Sequence, residues 1–305
     1  MKKVWAWAVI AGLPLILLGL FFGFFYSRKE VMVWDGITRQ YRIHVPWGIK
    51  EKAPLIIALH GYGDKPWLME VYTGLSALAD REKFIVAYPY GLAGTDDAKL
   101  SWNGGSCCGA AVDLRVDDVG WVNALVEKIA RERPVDEQRV YAVGFSNGAL
   151  LVYRLAAQTP EKFAGFAAVA GAVSGKRSQD EEIFRLPRPK TGVKMIMAHG
   201  EKDLAVPFGG GHNRVLGVSI AEFGSFAQSQ AFWAAADGCG TKQNREEPPG
   251  YTKITYPDCN QGLLTAYSVN GRAHIWPGGL MEISAYGSIK GLVFTDELWN
   301  FFTED

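Results

Sequence analysis

The chain has 305 residues, of which 48% are hydrophobic and 21% are charged, and its 32 basic and 32 acidic residues leave no net charge. This length and apolar content suit one large globular domain with a substantial core. The sequence has neither a net positive charge nor a long basic run to hold a nucleic acid, so we expect no nucleic-acid partner.

An uncharged apolar stretch occupies residues 4–26, close to the start of the chain. It is long enough to span the hydrocarbon core of a bilayer. Its distal end is rich in phenylalanine and lacks the small residues of a signal-cleavage site. We therefore predict a retained membrane anchor over residues 1–30 and a catalytic domain over residues 31–305, exposed to the periplasm or the extracellular space. A cleaved signal, which would release a secreted protein, is the alternative.

Short apolar runs then alternate with helical patterns. Two strands are predicted over residues 31–34 and 39–46, around the turn signal Asp35-Gly36. Apolar runs without polar alternation predict buried strands at 55–59, 84–89, 140–143, 166–170 and 195–199. Helices are predicted within 67–81, from the acidic pair at 117–118 through 129, over 149–157, over 220–236 and from Thr295 to the end. Further strands are predicted at 252–256 and 263–269. This alternation predicts an α/β fold with a mainly parallel sheet covered by helices on both faces.

The motif Gly144-Phe145-Ser146-Asn147-Gly148 connects a predicted strand to a predicted helix. In a Gly-x-Ser-x-Gly turn the serine has a strained backbone, which exposes its Oγ beyond the sheet edge. The two glycines allow the strand and the helix to approach closely, because a Cβ at either position would collide. This context makes Ser146 the candidate nucleophile.

The catalytic base and acid are expected later in the chain, because the hydrolase order is serine, acid, histidine. Of the five histidines, only His274 follows the last predicted strand, and an ordinary loop histidine is its alternative. His60 and His199 suit loop-bracing roles at the ends of two earlier strands. Asp203, in the turn after the strand at 195–199, is favoured over Glu201 as the acid, with a loop cap as its alternative.

An acyl-transfer enzyme also needs hydrogen-bond donors where the oxyanion develops. We expect these donors to be the backbone N–H groups of Asn147, directly after the nucleophile, and of Tyr62, between Gly61 and Gly63. Trp102 and Trp276 are predicted either to form walls of the substrate pocket or to belong to the core.

The four cysteines lack the spacing of common zinc motifs, so a disulfide framework is preferred. Cys239 and Cys259 border the same polar loop and are expected to be joined. Cys107 and Cys108 are adjacent and have no other partner. They are predicted to form a vicinal bond, and two reduced, packed thiols are the alternative. We expect no metal ion and no cofactor.

Several of these segments together resemble the family of polyhydroxybutyrate depolymerases and feruloyl esterases. The matching segments are Leu59-His60-Gly61-Tyr62-Gly63, Gly144-Phe145-Ser146-Asn147-Gly148, His199-Gly200-Glu201-Lys202-Asp203 and His274-Ile275-Trp276-Pro277-Gly278-Gly279. The stretch from Trp102 to Gly120 and the late cysteine pair also match. The resemblance implies an α/β-hydrolase fold and the cleavage of carboxylic esters by a triad of Ser146, Asp203 and His274.

The sequence therefore predicts a serine esterase whose substrate is a small ester, an acylated sugar or a hydroxyalkanoate oligomer. A serine peptidase is the alternative within enzymes, because oligopeptidases have a similar serine turn. A membrane-tethered binding protein on an inactive hydrolase fold is the alternative outside enzymes.

Overall fold

The computed structural model describes residues 27–94, 99–214, 221–260, 263–286 and 291–304. Within these ranges no helix combines the length and the apolar character that crossing a bilayer requires. The predicted anchor, residues 4–26, lies outside the described residues.

Among the described residues, ten strands form the central sheet. In chain order they are β1 (Arg28–Trp34), β2 (Ile37–His44), β3 (Ala53–Leu59), β4 (Ile85–Pro89), β5 (Val135–Phe145), β6 (Gly165–Val169), β7 (Met195–Gly200), β8 (Asn244–Glu246), β9 (Tyr251–Tyr256) and β10 (Leu264–Val269). Their spatial order is β1-β2-β4-β3-β5-β6-β7-β10-β9-β8. The six strands from β4 to β10 in that order pair in parallel, and the two strands at each edge are antiparallel. The predicted mainly parallel sheet is confirmed.

The sheet is buried on both faces, as its apolar strands require. Along β3, Leu55, Ile57 and Leu59 face one core cluster, whereas Ile56 and Ala58 face the other. The helices are α1 (Pro66–Thr73), α2 (Leu75–Glu82), α3 (Ala110–Asp113), α4 (Asp118–Glu132), α5 (Asn147–Gln158), α6 (Phe226–Ala236), α7 (Leu280–Tyr286) and α8 (Phe294–Thr303). Apolar residues of α4, α5 and α6 join the first cluster, and those of α1, α2 and α8 join the second.

The region predicted to contain one helix within 67–81 contains two, α1 and α2. Gly74 separates them with a left-handed backbone (φ 68°), and its N–H donates to Glu70 O at the end of α1. Glycine reaches this conformation without a steric penalty and is a common helix terminator. The helical residue pattern continues across Gly74, so the sequence did not reveal the break.

The helix predicted over 220–236 begins at Phe226 instead. Ser225 accepts a hydrogen bond from the Gln228 N–H, and the Gln228 side chain accepts one from the Ser225 N–H, which forms a capping box. Residues Glu222–Phe223, which the prediction placed in the helix, form a short strand in a small four-stranded sheet. The capping box therefore determines where α6 begins, which the pattern of apolar residues alone did not show.

Strand β1 and helix α8 also begin at residues other than those predicted. Strand β1 begins at Arg28, three residues before the strand that was predicted over residues 31–34. Helix α8 begins at Phe294, and Thr295 does not open it as a cap. The Thr295 hydroxyl donates to Thr73 O and accepts from the Trp276 indole, which links α8 to the end of α1.

Candidate active site

Ser146 lies in the sharp turn between β5 and α5, at the carboxyl end of the parallel strands. Its φ of 55° and ψ of −120° belong to a region that residues other than glycine rarely occupy. The Ser146 N–H donates to Val169 O at 2.9 Å, which ties the turn to the end of β6. Ser146 is partly exposed, so its strained backbone presents the hydroxyl at the edge of the sheet.

The glycines on either side of Ser146 are required by close packing. A Cβ on Gly144 would collide with the Gly148 carbonyl group. A Cβ on Gly148 would collide with the carbonyl oxygen of Leu59, the last residue of β3. The predicted close approach of strand, turn and helix is confirmed, because these obstacles are backbone atoms that no side-chain rotation can remove.

His274 and Asp203 meet beside this turn. Asp203 follows β7 and is fully buried, whereas His274 follows β10 and is partly exposed. The His274 Nδ1–H donates to Asp203 Oδ2 at 2.6 Å. The His274 ring centroid lies 4.9 Å from that of Phe145, the residue before Ser146. The three residues selected from the sequence are therefore brought to one edge of the sheet.

Asp203 is held as an ionised acceptor. Its Oδ1 accepts hydrogen bonds from the N–H groups of Ala205 (2.8 Å) and Val206 (2.9 Å). Burial by itself raises the pKa of Asp203. The positive charge of His274 and hydrogen bonds from His199 and His274 outweigh burial and hold the pKa well below its usual range. An ionised acceptor at this position fixes the tautomer of His274, with its proton on Nδ1.

His199 braces the turn that carries Asp203, as its sequence position predicts. The side chain is buried, and its Nε2–H donates to Val206 O at 2.8 Å. The same nitrogen lies 3.2 Å from Asp203 Oδ2. Asp203 thus interacts with two histidines, of which His274 is partly exposed and His199 is not.

His60 is buried at the end of β3 and braces the next loop, also as predicted. Its Nδ1–H donates to Gly61 O at 2.7 Å, and its Nε2 accepts from the Gly91 N–H at 3.1 Å. Burial lowers the pKa of His60 to about 4, so the imidazole is neutral near pH 7. Because a backbone N–H points at Nε2, this nitrogen must be the one without a proton.

The loop after His60 lies against the serine turn. A Cβ on Gly61 would be 3.3 Å from Phe145 Cδ1 and 3.4 Å from Ser146 Cβ, which places the peptide that precedes Tyr62 beside the candidate nucleophile. Asn147 is the first residue of α5, so its N–H is one of the four that have no acceptor within the helix. Both predicted oxyanion donors therefore belong to backbone that borders Ser146.

The two tryptophans belong to the core and do not line a pocket. Trp102 and Trp276 are both fully buried, and each indole nitrogen is used internally. The Trp102 Nε1–H donates to His60 O, and the Trp276 Nε1–H donates to Thr295 Oγ1, each at 2.9 Å. The predicted role as pocket walls is wrong for both. The core alternative applies, because a buried ring offers no surface to a substrate.

Asp64 is a polar residue of the site that the sequence analysis missed. Asp64 is partly exposed. A Cβ placed on Gly61 would lie 3.1 Å from Asp64 Oδ2 and 3.4 Å from Ser146 Cβ, so Asp64 and Ser146 approach the same point beside Gly61. The Tyr72 hydroxyl donates to this oxygen at 3.4 Å. Burial raises the pKa of Asp64, and the Tyr72 hydrogen bond and the His274 charge oppose the rise. Its position two residues after Tyr62 was the available signal.

The cysteines are paired in the structure as Cys239–Cys259 and Cys107–Cys108. Among the described residues, Asp237 with Cys239 and Cys259 is the group whose ligand atoms are close enough to hold a metal ion. A disulfide sulfur has no thiolate to offer a metal, so this group does not fit a metal site while the bond is present.

Comparison with known proteins places this chain among esterases. Residues 39–184 match the family described as "Esterase PHB depolymerase". The chain is 32% identical over 280 residues to the protein named "Putative esterase NocK" from Nocardia uniformis subsp. tsuyamanensis, and the match covers 83% of this chain and 74% of that protein.

Two further comparisons are more distant. A bifunctional acetylxylan esterase/xylanase of Neocallimastix patriciarum is 25% identical over 251 residues, which cover 82% of this chain but only 32% of that protein. The solved structure of an acetyl xylan esterase from Aspergillus awamori is similar with a TM-score of 0.60 and 14% identity, over 90% of this chain and 98% of the other. At that identity, the structural likeness shows a shared α/β-hydrolase-like fold.

Proposed function

Because this chain belongs to the esterase PHB depolymerase family and is a serine hydrolase of carboxylic esters, we propose that Ser146, His274 and Asp203 are its catalytic triad. The observation that carries this proposal is the 2.6 Å hydrogen bond from His274 Nδ1 to buried Asp203, beside a serine with a strained backbone. The first orients the base of such a triad, and the second is typical of the nucleophile turn in this fold.

The first half of the reaction forms an acyl-enzyme. Ser146 Oγ attacks the ester carbonyl carbon while His274 Nε2 takes the hydroxyl proton. The N–H groups of Tyr62 and Asn147 donate to the oxyanion of the tetrahedral intermediate. When this intermediate collapses, the bond to the alcohol oxygen breaks, and His274 returns its proton to the departing alcohol.

The second half releases the acid. His274 Nε2 takes a proton from a water molecule, whose oxygen attacks the acyl carbon. The same two N–H groups stabilise the second oxyanion, and Ser146 Oγ leaves with the proton from His274. Asp203 stays ionised throughout and stabilises the imidazolium that forms in each half, consistent with its lowered pKa.

The substrates that we propose are short-chain acyl esters of sugar hydroxyls. A relative that matches by sequence is named a bifunctional acetylxylan esterase/xylanase, which supports a carbohydrate alcohol. Asp64 supports it independently, because a partly exposed carboxylate beside the nucleophile can accept hydrogen bonds from neighbouring hydroxyl groups of a sugar.

The test compares kcat/KM for acetylated xylo-oligosaccharides, methyl ferulate, 3-hydroxybutyrate oligomers and 4-nitrophenyl acetate. We expect the acetylated sugars to give the highest value. Asp64→Ala should lower kcat/KM for the acetylated sugars roughly tenfold, the order expected for one hydrogen bond to a charged group. 4-Nitrophenyl acetate, whose leaving group has no neighbouring hydroxyl, should be unaffected. Equal losses on both substrates would contradict the role of Asp64 in sugar recognition.

We also propose that residues 4–26 anchor the enzyme in a membrane, with the catalytic domain in the periplasm or the extracellular space. The uncharged 23-residue stretch supports the anchor. The paired cysteines support an oxidising compartment for the folded domain.

A further inference from the structure

The segment around Trp102 crosses between the two loops that carry the proposed oxyanion donors. One donor, Tyr62, lies in the loop after β3, and the other, Asn147, follows the nucleophile after β5. Trp102 belongs to neither loop and is fully buried between them. It forms hydrogen bonds to residues of both.

The first contact is with the side chain of Asn147. The Trp102 N–H donates to Asn147 Oδ1 at 2.7 Å, and Asn147 Nδ2 donates back to Trp102 O at 3.0 Å. The same amide donates to Cys107 O at 2.9 Å. This pair of reciprocal bonds fixes the amide of Asn147, and with it the residue whose backbone N–H borders Ser146.

The second contact is with the loop of Tyr62. The Trp102 Nε1–H donates to His60 O at 2.9 Å, and the rings of Trp102 and His60 pack with centroids 5.0 Å apart. His60 in turn donates to Gly61 O through Nδ1. A trans peptide is planar, with its C=O and N–H pointing in opposite directions. Holding Gly61 O therefore orients the N–H of Tyr62 on the other side of that peptide.

Asn103, the residue after Trp102, is itself held in place by hydrogen bonds to two charged side chains. The Asn103 N–H donates to Asp118 Oδ2 at 2.8 Å, and Asn103 O accepts from Arg154 Nη1 at 2.7 Å. Asp118 is fully buried in an ion pair with Arg39, whose Nη2 is 2.8 Å from Asp118 Oδ1. A buried carboxylate whose two oxygens are both bonded positions its partners more firmly than an exposed one.

We propose that Trp102 is a positioning residue that holds the two loops with the oxyanion donors at a fixed distance and orientation relative to each other. The inference rests on the proposed function, because it assigns Tyr62 and Asn147 as the donors. Trp102 is fully buried, so its side chain offers no surface to a substrate. Its three hydrogen bonds set the separation of two loops that come from different strands, so that both N–H groups reach the same oxygen atom.

The expected effect is on the transition state rather than on substrate binding. Removing an oxyanion donor costs about 10²–10³ in kcat, and displacing one by about 1 Å can cost a comparable factor. The Trp102→Phe variant keeps an aromatic ring and both backbone bonds but loses the indole donor to His60 O. We expect kcat to fall roughly 10–100-fold, with KM changed less than about threefold.

A second measurement reports on the oxyanion directly. The inhibitor is a trifluoromethyl ketone whose acyl part matches that of the substrate. Ser146 Oγ adds to its carbonyl carbon, and the tetrahedral adduct has an alkoxide oxygen where the ester oxyanion forms. Its inhibition constant should weaken by about the same factor as kcat/KM, since transition-state analogues follow transition-state stabilisation. A purely structural role for Trp102 would lower the unfolding temperature without this correlation.

The matched control is Trp233→Phe. Trp233 is buried in the same core cluster as Trp102, but its Nε1 has no hydrogen-bond partner among the described residues. This variant removes the same atoms from the core and no bond from the oxyanion loops, so kcat should stay within about threefold of the wild-type value. Replacing Trp102 with 3-benzothienylalanine, which keeps the ring shape and lacks the N–H, serves if Trp102→Phe does not fold.

Three outcomes would overturn the inference. The first is wild-type kcat and inhibitor affinity in a folded Trp102 variant. The second is an equal loss of kcat in Trp233→Phe. The third is a loss that appears in KM alone. Each leaves the esterase assignment intact, which Ser146→Ala tests separately. If the wild-type chain hydrolysed no ester, the proposed function and this inference would fail together.

Discussion

His274 donates a 2.6 Å hydrogen bond to Asp203, although 71 residues separate them in the chain. The two residues follow β7 and β10, which are neighbours and parallel in the sheet. Parallel neighbours bring the residues after their carboxyl ends together. The same geometry places Ser146, after β5, at this edge of the sheet.

The first prediction concerns the proposed triad. Ser146→Ala and His274→Ala should each reduce kcat for 4-nitrophenyl acetate by at least about 10⁴, and Asp203→Asn by about 10²–10⁴, because the amide misorients the imidazole. Circular dichroism should show an intact fold for Ser146→Ala. A fluorophosphonate probe should label the wild-type chain at Ser146 and leave Ser146→Ala unlabelled. Near-normal turnover by Ser146→Ala would refute the assignment.

The sequence sufficed to select the three residues of the proposed triad because its signals are local. Ser146 and Asp203 each lie in a turn directly after a strand, so each can be recognised from neighbouring residues in the chain. The order of strands and helices then predicts that both turns lie at the same edge of the sheet. The role that we propose for Trp102 could not be obtained in this way. Whether a tryptophan lines a pocket or fills the core depends on which distant groups surround it, here the carbonyl of His60 and the amide of Asn147.

Asp118 shows the same limit. The pair at 117–118 was predicted to start a helix, and α4 does begin there, with Asp117 accepting from the Gly120 N–H as its N-cap. Asp118, however, also forms the buried ion pair with Arg39, 79 residues away. A helix-start pattern contains no information about such a partner, because both roles suit an aspartate at the same position.

The second prediction is a pH dependence of stability from His60. The neutral form is favoured in the fold, since its pKa is about 4 against an ordinary value near 6.5. Below pH 6.5 the unfolded chain binds a proton that the folded chain does not, so stability falls as the pH falls toward 4. Between pH 7 and pH 4, the unfolding free energy of the wild type should drop about 3 kcal/mol more than that of His60→Asn.

In this variant the amide nitrogen can still donate to Gly61 O, so the comparison isolates the titration of the imidazole. Urea titrations at several pH values provide the free energies. Parallel pH curves for the two proteins would contradict the assignment of a buried neutral imidazole to His60.

The third prediction concerns Gly148. Alanine normally stabilises a helix by about 1 kcal/mol relative to glycine. Gly148→Ala should instead destabilise the protein by several kcal/mol or prevent folding, because the new Cβ would meet the Leu59 carbonyl at the end of β3. Gly209→Ala, where a Cβ would have no heavy atom within 4 Å, is the control and should change stability by less than about 1 kcal/mol. Thermal unfolding measures both.

The fourth prediction concerns the cysteines. Alkylation of the unfolded protein without reductant, followed by peptide mass spectrometry, should find no free thiol at Cys239, Cys259, Cys107 or Cys108. Removal of the first pair by serine substitution should cost about 3 kcal/mol, because the bond closes a loop of about 20 residues. Two free thiols mapped to Cys107 and Cys108 would contradict the vicinal bond alone.

The last prediction concerns residues 4–26. A span of 23 uncharged residues should partition into the bilayer as a helix, so the full chain expressed in a bacterium should sediment with membranes and resist both high salt and alkaline carbonate. A peripheral protein held by charges would be released by salt, because ionic attraction is screened within about 10 Å at 0.1 M.

The control is Leu17→Arg/Leu18→Arg, which places two charges in the middle of the span, at an insertion cost of about 3 kcal/mol each. It should shift the protein toward the salt-soluble fraction. A mature N-terminus near Ser27, found by terminal sequencing of the wild-type protein, would show instead that the segment is a cleaved signal.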